Sequence, residues 1–194
     1  MTIDRLAPRK PAEACAPSME FFMSSRPSPQ QIADLVGVGM FAKDPASQGM
    51  GMRLTSIAPG RATMTMTVSK QMINGHQSCQ GGFLATLADS AFAFACNSYN
   101  EMTVASGFSI DFVAPARLGD VLTATCVEVS KAGRTGVYDT EITNQRNERI
   151  AVFRGRSYTI KGRPAFAASP PEESAHGQDS PRNQRSGPDR AGQP

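Results

Sequence analysis

The chain has 194 residues, 40% of them hydrophobic and 19% charged, and a net charge of +3. That is material for one domain. The basic residues are scattered rather than gathered into a run or stripe, which argues against nucleic acid as a partner. The apolar stretches are far shorter than a membrane span, and the N-terminal MTIDRLAPRKPAEACAPSM lacks the apolar core of a secretory signal. A cytoplasmic protein with no membrane association is therefore expected.

Residues 1–28 carry Pro8, Pro11, Pro17 and Pro27 without periodicity and are expected to be disordered. Pro29-Gln-Gln-Ile-Ala-Asp-Leu-Val36 reads as a short helix. The string from Gly37 to Ala42 imitates a glycine-rich dinucleotide fingerprint, but it follows a helical pattern where a strand is required, so it is set aside. A strand is expected over 52–57, then a turn at Pro59-Gly60. Over 61–69, Ala62, Met64, Met66 and Val68 alternate with Thr63, Thr65 and Thr67, which is the pattern of a half-buried strand.

A glycine-punctuated loop from Asn74 to Gly82 leads into a helix over 83–97. Leu84, Leu87, Ala88, Ala91 and Ala95 form its apolar stripe, and most other positions are also apolar or small, so this helix should be buried. Strands are expected over 103–113, 120–130, 134–144 and 149–160. Residues 163–194, rich in proline and with one large apolar residue, Phe166, are expected to be a disordered tail. The folded unit is thus 29–162: two strands, a buried helix, then four strands in a meander, an α+β layout. Cys15, Cys79, Cys96 and Cys126 form no CxxC pair, so neither a metal site nor a dithiol is expected. Three of them read as small buried hydrophobes and Cys15 as part of the N-terminal extension.

Asp89 is a carboxylate in an apolar helix, on a flank shared with Ala85, Phe92 and Cys96. There it must find a partner or its pKa must rise, and either a structural or a catalytic role is compatible with the pattern. Gly81-Gly82 opens the same helix and would leave backbone N–H groups free to meet a ligand oxygen, or would be a plain turn. His76 is the one histidine of the folded unit, too little for a Ser/His/Asp set.

The stretch Asn74-Gly-His-Gln-Ser-Cys-Gln-Gly-Gly-Phe-Leu-Ala-Thr-Leu-Ala-Asp89-Ser-Ala-Phe-Ala-Phe-Ala-Cys-Asn-Ser98 closely resembles the central motif of the PaaI-type thioesterases of phenylacetic acid degradation. Val104-Ala-Ser-Gly-Phe-Ser-Ile-Asp-Phe112, Gly119-Asp-Val-Leu-Thr-Ala-Thr125 and Val152-Phe-Arg-Gly-Arg-Ser157 continue the resemblance in order. It implies a hotdog fold, a long central helix wrapped by a curved antiparallel sheet. It also implies a homodimer or homotetramer with active sites at the dimer interface, and hydrolysis of acyl-CoA thioesters, typically aryl-acetyl ones. It implies no cofactor and no metal.

Carried over by position, the catalytic carboxylate falls on Asp89, the amide that polarises the thioester carbonyl on Gly81, and a substrate- or water-orienting hydroxyl on Ser109. Gly82, Gln80, Asn74 and His76 would complete the substrate-binding loop. Gln80 stands where the family usually has His, and Lys43 stands where an Asn is common and could instead attract CoA phosphates. Asp89 would act as general base or as nucleophile through an anhydride. A non-catalytic acyl-CoA-binding module is the alternative reading. A hotdog dehydratase would need a His paired with an acid, and His76 is poorly placed to serve.

Overall fold

The computed structural model describes residues 26–167. Helix α1 (Pro29–Ala42) starts with a reciprocal cap: the Ser28 hydroxyl accepts from the Gln31 N–H, and the Gln31 side chain accepts from the Ser28 N–H. Pro29 takes the first helical position, where its missing N–H costs nothing. The helix runs six residues beyond the expected end at Val36, through both glycines of the false fingerprint. Each of them is a close approach and not a stop: a Cβ on Gly37 would sit 3.0 Å from Leu54 and Ile57, and one on Gly39 would overlap the Phe166 ring. A short α2 (Pro45–Gly49), capped by the Asp44 carboxylate on the Ser47 N–H, follows.

Six antiparallel strands make one sheet: β1 (Arg53–Ala58), β2 (Arg61–Thr67), β3 (Thr103–Phe112), β4 (Val121–Ala132), β5 (Thr135–Thr143) and β6 (Arg149–Thr159). Gly60, at φ +69°, closes the β1–β2 turn against Tyr99 and Glu128, where a Cβ would lie 2.8 Å from the tyrosine oxygen. The order across the sheet is β1-β2-β4-β5-β6-β3, which corrects the expected four-strand meander. Of the last four strands, only β4, β5 and β6 follow one another across the sheet in sequence order. The helix α3 (Gly81–Asn97) crosses the sheet between β2 and β3, carries the chain to the far side, and leaves β3 on the outer edge beside β6. Bulges in β1, β3, β4 and β6 interrupt the ladders, and such interruptions increase twist and let a sheet curl round a helix.

The core lies between α3 and the concave face. The alternating row of β2 (Ala62, Met64, Met66) and the stripe of α3 (Leu84, Leu87, Ala88, Ala91, Ala95) are all buried, as their periods require. Phe92 packs edge-tilted on Tyr138 and Phe153, with ring centroids 5.4 and 5.9 Å apart. Cys79, Cys96 and Cys126 are buried and free.

Residues beyond the boundary placed at 162 also pack on the domain. The Arg163 carbonyl accepts from the Met102 N–H at 2.8 Å, and the Phe166 N–H donates to the Asn100 side chain at 2.9 Å. Phe166 fills the space that Gly39 leaves by having no side chain, so 163–167 belong to the fold. The expectations for 1–25 and 168–194, Cys15 included, lie outside the described residues. Among the described residues no helix is long and apolar enough to cross a membrane, and no cluster of His, Cys, Asp or Glu could hold a metal.

Candidate active site

The N-terminus of α3 is built from a loop tied down on both sides. The Cys79 N–H donates to the Ala116 carbonyl (2.9 Å) and the Gln80 N–H to the Met72 carbonyl (2.8 Å). Asn74 organises the loop: its side-chain oxygen accepts from the His76 N–H, the Ser78 N–H and the Ser78 hydroxyl. Gln80 is the N-cap, but its side chain makes no capping bond. Gly81 and Gly82 are the first two helical residues, and neither N–H finds an acceptor among the described residues. Two free amides at the positive end of a 17-residue helix form a natural oxyanion site.

Gly81 is glycine for a steric reason. A Cβ there would lie 2.7 Å from the Phe112 ring at the end of β3. Phe112, Val113, Ala114, Pro115 and Ala116 form the second wall of an open cavity of about 670 Å³, facing Ser78 to Gly82, Leu84 and Ala85. No pattern in the sequence marks that wall, since residues 114–116 fall between the expected strands 103–113 and 120–130. Cys79 also lines the cavity, but burial pushes its thiol up to about 11, so it is protonated at neutral pH and no rival nucleophile.

Asp89 lies two turns further along α3, on the line Gly81, Ala85, Asp89. It is the one charged residue of that helix and is partly buried beside Phe92 and Cys96. No hydrogen bond reaches its carboxylate among the described residues. Burial holds its pKa above the ordinary carboxylate range. A carboxylate so placed is a stronger base than a solvated one.

The remaining expected site residues are not gathered here. Ser109 pairs with Arg154 across β3 and β6 and projects from the sheet face opposite α3, into a cleft with Asp139 and Arg154. Within one protomer the sheet itself separates it from Gly81 and Asp89. His76 is exposed outside the cavity lining. Lys43 caps the end of α1 and rests its ammonium 5.4 Å from the centre of the Phe166 ring.

Residues 76–151 match the model of the thioesterase superfamily. The chain is 49% identical over 123 residues to acyl-coenzyme A thioesterase PaaI of Escherichia coli K12, covering 63% of this chain and 88% of that protein. The solved structure of the E. coli PaaI protein from the phenylacetic acid degradation operon superposes with a TM-score of 0.69 at 46% identity, over 70% of this chain and 99% of that one. A hypothetical thioesterase protein from Streptococcus pneumoniae TIGR4, solved with coenzyme A, superposes with a TM-score of 0.56 at 25% identity, over 58% of this chain and 90% of that one. With its six-stranded sheet wrapped round α3, the chain belongs to the PaaI-type acyl-CoA thioesterases of the hotdog fold.

Proposed function

We propose that the chain is a cytoplasmic, homo-oligomeric hydrolase of aryl-acetyl-CoA thioesters, releasing the free acid and CoA from a site shared by two protomers. One observation carries the two-protomer arrangement. Gly81 and Asp89 lie on one helix face eight residues apart, roughly 12 Å along the axis. An amide and a carboxylate so far apart cannot serve one carbonyl carbon, and a rigid helix cannot bring them together.

The free edge of β3 supplies the remedy. It is ten residues long, has neither Lys nor Pro, and exposes Val104, Phe108 and Phe112. Such an edge is a template for another strand. The opposite edge, β1, is covered in part by α1. Pairing β3 with its own copy about a two-fold axis sets the two α3 helices antiparallel. With the axis near Ala85, Asp89 of one protomer faces Gly81 of the other.

In that arrangement the Gly81 N–H polarises the thioester carbonyl and Asp89 takes a proton from the attacking water. The tetrahedral oxyanion rests at the N-terminus of α3, and the CoA thiolate leaves and is protonated. Direct attack by Asp89, forming an anhydride that water then opens, uses the same groups. The apolar wall of Phe112, Leu84, Ala114 and Pro115 suits a flat aryl group. The phenylacetic acid operon of the E. coli relative agrees with that substrate class.

The test is thiol release from phenylacetyl-, hydroxyphenylacetyl-, benzoyl- and straight-chain acyl-CoAs, with wild type and Asp89→Asn side by side. Preference for the aryl-acetyl esters, lost in the variant, supports the proposal. Preference for straight chains overturns the substrate class. Binding of CoA esters without hydrolysis would mark a binding module, with Gln80 in place of His as the first cause to examine.

A further inference from the structure

The geometry points to a docking groove on the outer face of α1 that receives residues 19–23 of the same chain. α1 is apolar on both sides. Its inner face buries Ala33, Val36, Gly37 and Gly39. On its outer face Leu35 is 61% exposed and Val38 75%, the most exposed large apolar side chain among the described residues. With Phe166 beside Gly39, these two line an open cavity of about 810 Å³, larger than the one at Gly81. The polar side chains of its lining are already engaged. Gln31 accepts from the Ser28 N–H, and Asp34 accepts from the Gln30 amide. What the groove offers an occupant is therefore apolar contact. α1 packs against β1, at the sheet edge opposite β3, so pairing through β3 leaves this face uncovered.

The chain carries a matching segment next to the groove. Between Pro17 and Pro27 it reads Ser-Met-Glu-Phe-Phe-Met-Ser-Ser-Arg. Four of the five residues 19–23 are large and apolar, and Phe21 and Phe22 are the only aromatic residues ahead of Pro27. Pro27 itself lines the cavity, so the segment is tethered at the groove's end. Ser28, between Pro27 and Pro29, is extended, as the residue before a proline prefers, so α1 does not continue backwards into the segment.

The reach is sufficient. Six residues from Phe21 to Pro27 span at most roughly 20 Å. The part of α1 from 29 to 38 is roughly 14 Å long. Met23, Phe22 and Phe21 can therefore lie back along the helix over Leu35 and Val38. So short a tether gives an effective concentration on the order of millimolar, ahead of a partner arriving from solution. The charges agree with that direction. Glu20, the one acid of 18–26, would come toward Lys43 at the end of α1, which meets no carboxylate among the described residues.

The chain has no tryptophan, so Phe22→Trp places a single reporter in the segment. The full-length Phe22→Trp protein is compared with the same protein carrying Leu35→Gln/Val38→Gln. Both groove positions are exposed and glutamine is a good helix former, so the fold is kept, which far-ultraviolet circular dichroism checks. Expected is blue-shifted emission, poorly quenched by acrylamide, that becomes solvated and readily quenched with the glutamine pair. In parallel, Phe21→Ser/Phe22→Ser should lower the melting temperature in the wild-type background and leave it unchanged in the glutamine background. A solvated indole with no such coupling overturns the inference, and so does shielded emission that the glutamine pair leaves unchanged. Co-expression separates the chain's own groove from that of a second copy. The reporter protein with the spoiled groove is paired with full-length Phe21→Ser/Phe22→Ser, whose groove is intact. Emission that stays solvated supports docking within one chain, and restored shielding assigns the segment to a second copy and overturns it.

Discussion

Gly81 and Asp89 share one face of α3 but are held roughly 12 Å apart by the helix between them, with Ala85 midway. The small, partly buried Ala85 lies where the two helices would pass each other. Ala85→Leu should therefore weaken self-association and abolish turnover together, while the isolated fold keeps its helix content. Analytical ultracentrifugation and thiol release on the same samples check this. A fully dimeric, fully active Ala85→Leu protein would move the axis elsewhere.

Replacing Asp89 by Asn should reduce kcat by about two to four orders of magnitude, the usual contribution of a general base. Its effect on stability has the opposite sign. A carboxyl whose folded pKa is raised above the unfolded value disfavours folding once it ionises. That cost is absent at acidic pH, where the group is protonated in both states, and is complete above the folded pKa. Asp89→Asn should accordingly melt at or above wild type at neutral to alkaline pH, and the advantage should vanish under acid. The acid limb of the wild-type rate profile should lie above the range of an ordinary aspartate. Melting curves across pH, with the rate profile, read both effects.

Gly81→Ala puts a methyl group against the Phe112 ring, 2.7 Å from its nearest atom. Turnover should fall at least tenfold as the helix N-terminus is displaced. Trimming the ring with Phe112→Leu should recover part of the loss, a coupling that a double-mutant cycle measures. Additive losses would show that the two residues act separately.

Cys79 lines the cavity yet is protonated at neutral pH, with its thiol pushed up to about 11. Cys79→Ala should retain wild-type kcat within a few-fold, and alkylating reagents should leave activity intact. Loss of activity in Cys79→Ala with a normal melting curve would make the thiol a participant.

Phe166 packs into the space that Gly39 leaves. Phe166→Ala should cost about 1–2 kcal/mol, less than a fully buried phenylalanine because the ring is only partly covered. Deletion of 163–194 should lower the melting temperature, whereas deletion of 168–194 should not. Equal melting of the two truncations would return the boundary to 162.

Much of this was legible in the residues. The period-two row of β2 and the stripe of α3 predicted their buried faces correctly, because burial on one side leaves a direct trace in composition. Asp89 stood out because a charge in an apolar helix has few explanations. The place of β3 was not legible: strand order depends on which edges meet after α3 crosses the sheet, and no local pattern records that. Phe112 entered the site only through its packing on Gly81. Ser109 is a different case. Phe108, Ile110 and Phe112 alternate with Ser109 and Asp111, so the strand itself announces that Ser109 faces away from the helix. The alternation of the strand, not the position within the motif, decides which face Ser109 takes.

The central claim, a site made of Asp89 from one protomer and Gly81 from another, is tested most directly by mixing two inactive variants. Asp89→Asn and Gly81→Ala would be co-expressed with different affinity tags, and the hybrid dimer isolated. One of its two sites would then carry both lesions and the other neither. The account predicts that the hybrid recovers about half the wild-type activity per dimer, while each parent stays inactive. A hybrid as inactive as its parents would show that each site lies within a single chain.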